Sequence, residues 1–310
     1  MTSNLYGYAD VGSMGLTHSL VAWARCRIWC DEHGATMLAP QWPRLRGRVG
    51  PRLRKEYDNR QYNGLFRFSG YVRGLRRAIL LQWLKRCNSD DFQDNASTNK
   101  INDAKLIVFQ NLASGNDQKY FPLLVGHGKR ISDELNRVTL PQYRPPQLSI
   151  PHVAVHVRTG DFLELTHEEL IRGKANGRLP LSWYANIVSS LRERIGDFAA
   201  VVYSDGKDEV LRPLLSIPNV TRSRKQPSIS DLLSIAQSKL VVSSSSGFGA
   251  WGAYLGDSPR ISYPGQMLEP VLENNLDFTR EPECLSANEL SESFIGLVKA
   301  RLQIPPSPVC

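Results

Sequence analysis

The sequence has few cysteines and no long apolar run, and both features limit the class of protein it can encode. Its five cysteines are odd in number and lack the spacing of zinc ligands, which predicts free thiols in a reducing compartment, with Cys26 and Cys30 packed in a helix. No apolar stretch approaches the roughly 20 residues of a membrane-spanning helix. The first 15 residues have neither a basic start nor an apolar stretch, so we expect no signal peptide and a cytoplasmic protein.

Acidic residues are scarce in one region only. The chain carries a net charge of +8, yet residues 44–86 contain 13 Arg and Lys against two acidic residues. This local excess indicates a negatively charged partner, such as an anionic membrane surface or nucleic acid. Within it, Tyr71–Cys87 alternates apolar and basic residues in a helical pattern. Such a helix either packs on its own domain or lies on the inner face of a membrane.

Strand and helix patterns alternate along the chain, which predicts an α/β protein with mostly parallel sheets. The Pro-rich stretch Thr139–Pro151 separates two parts. We therefore expect one Rossmann-like domain over residues 1–145, a second over residues 150–283, and a closing helix within residues 284–304. The loop after the first strand is too irregular for a dinucleotide fingerprint.

Three predicted strands of the second domain end in unusual loops. The first ends in His156-Val157-Arg158-Thr159-Gly160-Asp161, the second in Ser204-Asp205-Gly206, and the third in four serines before a glycine-rich helix. Ligands of open α/β sheets bind at the carboxyl ends of strands. Backbone N–H groups, serine hydroxyls and a helix amino terminus favour an anion, and Arg158 supplies positive charge. Asp205 can accept hydrogen bonds from guanine. The alternatives are an Arg158–Asp161 ion pair at a solvated strand end and a plain turn role for Asp205.

These segments together resemble the GDP-fucose-dependent fucosyltransferases, especially the α-1,2-fucosyltransferase family. The matching residues are "HVRTGDF" at His156–Phe162, "YSD" at Tyr203–Asp205, and "SDLLSIAQSKLVVSSSSGFGAWGAYLG" at Ser230–Gly256. The resemblance covers about Pro151–Pro264 and is faint in the first 140 residues.

The resemblance implies a GT-B fold with the nucleotide-sugar site in the second domain, and an inverting transfer of L-fucose or a related 6-deoxyhexose to a glycan or lipid-linked oligosaccharide. It implies no metal and no cofactor besides the GDP-sugar substrate, and the sequence has no Asp-x-Asp motif. Arg158 would bind the pyrophosphate, Asp205 would recognise guanine by hydrogen bonds, and Asp231 would support the Asp205 loop. The other expected donor-binding residues are His156, Tyr203, Ser244, Ser245, Ser246, Gly247 and Phe248. Asp161 and Glu164, and also His18, are candidate catalytic bases.

One departure from the family pattern concerns charge. Many members have a second Arg where this chain has Thr159. Either another cation substitutes for it or the donor sugar differs. A non-catalytic GDP-sugar or glycan binder is therefore an alternative function.

We expect no nucleic-acid partner, because no helix-turn-helix, zinc or RNP-type pattern accompanies the basic region.

Overall fold

The computed structural model describes residues 5–12, 15–42, 62–89, 105–110, 121–146, 152–160, 162–273 and 279–303. The chain divides into two compact units. The first comprises residues 1–52 and 58–143, and the second comprises residues 53–57 and 144–310. In the described part of the chain, no helix is long and apolar enough to cross a membrane.

The first unit is built on a parallel sheet of four strands. Its elements are β1 (Tyr6–Asp10), α1 (Leu16–Glu32), β2 (Thr36–Leu38), α2 (Gly74–Trp83), β3 (Arg86–Asn88), β4 (Leu106–Gln110), a 3-10 helix (Phe121–Leu123), α3 (Gly128–Val138) and a second 3-10 helix (Pro141–Tyr143). The strand order is β2-β1-β4-β3. Helix α1 buries residues around most of its surface. Cys26 and Cys30 are buried thiols on this helix, so the packed role predicted for them is confirmed.

The second unit contains a parallel sheet of five strands, ordered β11-β10-β5-β8-β9. Its elements are β5 (His152–Val157), β6 (Leu163–Glu164), α4 (His167–Ile171), β7 (Gly177–Arg178), α5 (Leu181–Ile195), β8 (Ala199–Ser204), α6 (Asp208–Leu215), β9 (Val220–Arg222), α7 (Ser228–Ile235), β10 (Leu240–Ser243), α8 (Gly247–Gly256), β11 (Arg260–Ser262), a 3-10 helix (Ala287–Glu289) and α9 (Glu292–Leu302). Each unit is thus a Rossmann-like parallel α/β fold, which confirms the predicted fold class.

The core of the second unit explains the spacing of apolar residues in β5. Val153, Val155 and Val157 all join one buried cluster, as the two-residue period predicts. Phe294 and Val298 of α9 belong to the same cluster, so the C-terminal helix is part of the second unit's core.

Some elements differ from the sequence-based expectation. The basic segment Tyr71–Cys87 is a shorter helix, α2, followed by strand β3. Helix α3 was not predicted, although its buried residues Ile131, Leu135 and Val138 follow a helical spacing. Strands β6 and β7 pair with each other and are two residues long, which is too short for a periodic signal.

Candidate functional site

The carboxyl ends of three neighbouring strands form the candidate site. Strand β5 lies between β10 and β8, and all three run parallel. The backbone N–H of Ser244 donates to the carbonyl of His156 at 3.0 Å, and Val157 pairs with Ser204. The loops that follow these strands are therefore adjacent, as the parallel arrangement predicted.

The serine loop is held by its own hydroxyls. Ser243 Oγ donates to the Ser244 carbonyl at 2.8 Å, and Ser244 Oγ donates to Ser246 Oγ at 3.2 Å. Ser245 Oγ donates to the carbonyl of Gly177 at 2.9 Å, which ties the loop to β7. Ser246 is the N-cap of α8, and among the described residues its side chain makes no capping hydrogen bond. The first-turn N–H groups of α8 are thus left for an anion.

Gly249 lets helix α8 approach the strand ends closely. A Cβ atom at this position would lie 2.2 Å from Ser243 Oγ and 3.5 Å from His156 Nδ1. The close approach to Ser243 gives a physical reason for glycine at position 249.

His156 is buried and connects the first and third loops. Its Nδ1 shares a hydrogen bond with Ser244 Oγ at 2.9 Å, and its ring stacks on Phe248 with centroids 5.3 Å apart. Burial, with a smaller contribution from the Arg158 charge, lowers the pKa of His156 to about 4. The imidazole is therefore neutral at pH 7. It orients the serine loop and adds no positive charge to the site.

Arg158 and Asp205 form an ion pair across β5 and β8. Arg158 Nη1 donates to Asp205 Oδ2 at 2.5 Å, and the two side chains are 20% and 12% exposed. The same carboxylate accepts from the Thr159 N–H at 2.9 Å, the Thr159 hydroxyl at 3.1 Å and the Gly160 N–H at 3.0 Å. Four donors thus occupy its two oxygens. The guanidinium of Arg158 also lies 5.5 Å from the centre of the Phe162 ring.

In this structure the carboxylate of Asp205 fixes the turn after β5 and orients Arg158. The role predicted for Asp205 in recognising guanine stays a prediction. An Arg158–Asp161 pair was the sequence-based alternative, and within the described ranges the carboxylate paired with Arg158 is that of Asp205. Asp161 lies outside the described residues.

The remaining candidates are spread around the same edge. Asp231, in the first turn of α7, accepts from Ser223 Oγ at 2.9 Å and Gln226 Nε2 at 2.8 Å. It therefore stabilises the loop after β9, and its predicted support of the Asp205 loop stays a prediction. Tyr203 is buried, and burial raises the pKa of its phenol. Glu164 is 84% exposed and pairs with Arg178 at 3.0 Å. His18 belongs to the first unit.

Arg178 is a site residue that the sequence analysis missed. Its Nη2 donates to the Thr159 carbonyl at 2.7 Å, and its neighbour Gly177 accepts from Ser245. Arg178 thus connects the turn after β5 with the serine loop. Its Nε is buried and has no hydrogen-bond partner among the described residues. The sequence did not indicate this contact, because 19 residues separate Arg178 from Thr159 and a two-residue strand gives no periodic signal.

Within the described ranges, no cluster of three or more His, Cys, Asp or Glu residues could hold a metal ion.

The sequence matches no protein-family model and no curated protein. The structure is similar to solved structures of low sequence identity, among them two of NodZ and one of POFUT1. The fucosyltransferase NodZ from Bradyrhizobium aligns with a TM-score of 0.49 and 12% identity over 84% of this chain and 96% of that one. The NodZ α-1,6-fucosyltransferase co-crystallised with GDP gives 0.48 and 12% over 84% and 95%. POFUT1 in complex with GDP-fucose gives 0.45 and 13% over 84% and 98%. Similarity at this level does not assign a function.

Proposed function

We propose that this chain is a GT-B glycosyltransferase that transfers L-fucose, or a related 6-deoxyhexose, from a GDP-sugar to a glycan hydroxyl with inversion. The observation that carries the proposal is the serine loop at the amino terminus of α8, beside Arg158 at the end of the next strand. The motif resemblance at His156–Phe162 and Ser230–Gly256 favours fucose as the sugar and an α-1,2 linkage.

In the proposed reaction, the acceptor hydroxyl attacks the anomeric carbon on the face opposite GDP. A new C–O bond forms, the bond from that carbon to the β-phosphate oxygen breaks, and GDP leaves. The chemical demand is stabilisation of the negative charge that grows on the β-phosphate. The N–H groups at the start of α8, the hydroxyl of Ser246, which accepts from Ser244, and the guanidinium of Arg158 are the donors available for it.

The acceptor proton needs a base. Asp161 and Glu164 follow the Arg158 turn and are the proposed candidates. Glu164 is exposed and already pairs with Arg178, so a base role would require that it accept a proton while it remains next to a guanidinium.

The experiment is a thermal-shift panel with GDP, UDP and ADP, each with and without EDTA, followed by turnover of GDP-fucose with a set of glycan acceptors. We expect GDP to raise the melting temperature by several degrees more than UDP or ADP, since a ligand stabilises the fold that binds it. We expect the same shift in EDTA, because the proposed site uses protein donors alone. Equal shifts for the three nucleotides, or a strict need for Mg²⁺, would contradict the proposal.

Two variants of Arg158 complete the test. Arg158→Ala should lower transfer by about 10²–10³-fold, the usual effect of losing a donor to a developing oxyanion. Arg158→Lys should rescue only part of this loss, because an ammonium lacks the planar fork of donors. Binding of GDP without any turnover in the parent protein would favour a non-catalytic GDP-sugar binder.

A further inference from the structure

Helix α2 of the first unit exposes an apolar stripe. Leu75, Ile79 and Trp83 are 78%, 48% and 79% exposed, and their spacing of four residues places them along one side of the helix. The opposite side is anchored, since Leu80 and Leu81 pack on a small cluster formed by Leu38, Leu106 and Val108. The exposed stripe is therefore on a different side of α2 from the residues that pack against the rest of the unit.

Positive charge surrounds this stripe. The described residues 62–89 contain six Arg and Lys and no Asp or Glu. Arg73, Arg76, Lys85 and Arg86 are exposed. Arg76 lies on the stripe's side of the helix, three residues before Ile79 and seven before Trp83. Arg77 points elsewhere, because its guanidinium donates to the Ala39 carbonyl at 3.1 Å and to Gln41 Oε1 at 2.9 Å.

The helix also carries unfavourable electrostatics that a negative surface would relieve. Its N-cap is Arg73, which makes no side-chain capping bond among the described residues, and its first turn has no acidic residue. Arg76 and Arg77 lie about one turn into the helix, although the amino end of a helix already carries a partial positive charge. An array of anionic groups at this end would offset both effects. The stripe alone would fit any apolar partner, and this second observation indicates that the partner is anionic.

We propose that the α2 stripe, formed by Leu75, Ile79 and Trp83, docks the chain on an anionic lipid bilayer. A helix of ten residues, about 15 Å long, would lie in the interface with its apolar side chains among the acyl chains and its arginines among the phosphates. The indole of Trp83 suits the headgroup level, where tryptophan is enriched. A second copy of this chain fits poorly, because the same arginines would face each other across a two-fold interface. This inference does not depend on the proposed transfer reaction.

The test uses the full chain and sedimentation with two kinds of vesicle, one of phosphatidylcholine alone and one in which a third of the lipid is phosphatidylglycerol. We expect binding to the anionic vesicles only, with release in concentrated salt. Arg73→Gln with Arg76→Gln should weaken the partition coefficient by roughly 30-fold, given about 1 kcal/mol for each surface cation. Leu75→Ser with Trp83→Ser should weaken it by at least about tenfold, because less apolar surface enters the bilayer.

A matched control separates the stripe from general surface hydrophobicity. Val210→Ser with Leu268→Ser removes two other exposed apolar side chains, both in the second unit, and should leave vesicle binding unchanged. Absence of binding to anionic vesicles at low salt would overturn the proposal. Binding that survives both α2 variants would overturn it as well, since another basic segment would then carry the contact. A parent dimer that Leu75→Ser with Trp83→Ser converts to monomer would assign the stripe to a second copy instead.

Discussion

Arg158 donates to the carboxylate of Asp205 at 2.5 Å, although 47 residues separate the two in sequence. This pair joins the ends of β5 and β8. Because Thr159 and Gly160 donate to the same carboxylate, Asp205 determines both the shape of the turn and the direction of the Arg158 guanidinium. In the proposed reaction Asp205 is therefore a positioning residue, which acts through Arg158.

Asp205→Asn tests this role against guanine reading. The amide keeps one acceptor oxygen but replaces the other by a donor that faces Arg158, so we expect the transfer rate to fall by about tenfold to a hundredfold as Arg158 loses its anchor. We also expect the preference for GDP over UDP to persist. The measurements are kcat with GDP-fucose and the ratio of GDP and UDP dissociation constants. A loss of that ratio with little effect on kcat would instead assign guanine recognition to Asp205.

Arg178 should supply the charge that Thr159 cannot. We expect Arg178→Gln to lower kcat by about tenfold to a hundredfold, somewhat less than the loss for Arg158, because the guanidinium is shared with Glu164. Thr159→Arg should not compensate, since Thr159 is buried and its hydroxyl binds Asp205.

Glu164→Gln is the matched control for Arg178. It removes the carboxylate that pairs with Arg178 and keeps the guanidinium in place, so transfer should be retained or increased when Asp161, the other candidate, is the base. A collapse of transfer in Glu164→Gln, with Arg178→Gln near the parent rate, would instead assign Glu164 as the base.

His156 should make the stability of the protein depend on pH. Its pKa in the folded state is about 4, below the ordinary value of 6.5, because it is buried beside Arg158. Between these values the unfolded chain binds a proton that the folded chain does not, so the free energy of unfolding falls as the pH is lowered through this window. His156→Gln should reduce this slope by about 1.4 kcal/mol per pH unit. Urea unfolding at several pH values from 4.5 to 6.5 measures the slope.

Ser244→Ala provides the comparison for the pH experiment, because it removes the hydroxyl on His156 Nδ1 and leaves the imidazole in place. Its slope should match that of the parent. An unchanged slope in His156→Gln would mean that His156 is not the titrating group.

The contact between α8 and the serine loop predicts the effect of a single methyl group. Gly249→Ala places a Cβ 2.2 Å from Ser243 Oγ, so Ser243 must move and its bond to the Ser244 carbonyl weakens. We expect a loss of about 1–3 kcal/mol in stability and weaker GDP binding. Gly296→Ala, in α9, is the control, because a Cβ there meets no heavy atom within 4 Å in the described structure. Its stability should be unchanged or slightly higher, since alanine favours a helix. Equal effects of the two substitutions would contradict a special role for Gly249.

The sequence by itself determined the alternation of the five main strands of the second unit with the longer helices between them, but not the short elements from β6 to β7. Helix α1, Leu16–Glu32, follows the local sequence, because its long helical pattern stops just before Gly34. The three loops at His156–Asp161, Ser204–Gly206 and Ser243–Gly247 were identified because an apolar strand followed by serine, glycine or charged residues is a local signal. Their adjacency followed from the rule that parallel strands end at one edge of a sheet.

Only the tertiary structure decided which groups pair at that edge. The partners of Asp205, Arg178 and Ser245 lie 47, 19 and 68 residues away, and a local pattern cannot encode such contacts. The exposure of Leu75 and Trp83 likewise depends on residues that are distant in sequence. The same amphipathic pattern in α2 would result whether neighbouring elements covered the stripe or left it open, because the hydrophobic period reports the side of a helix and not what packs against it.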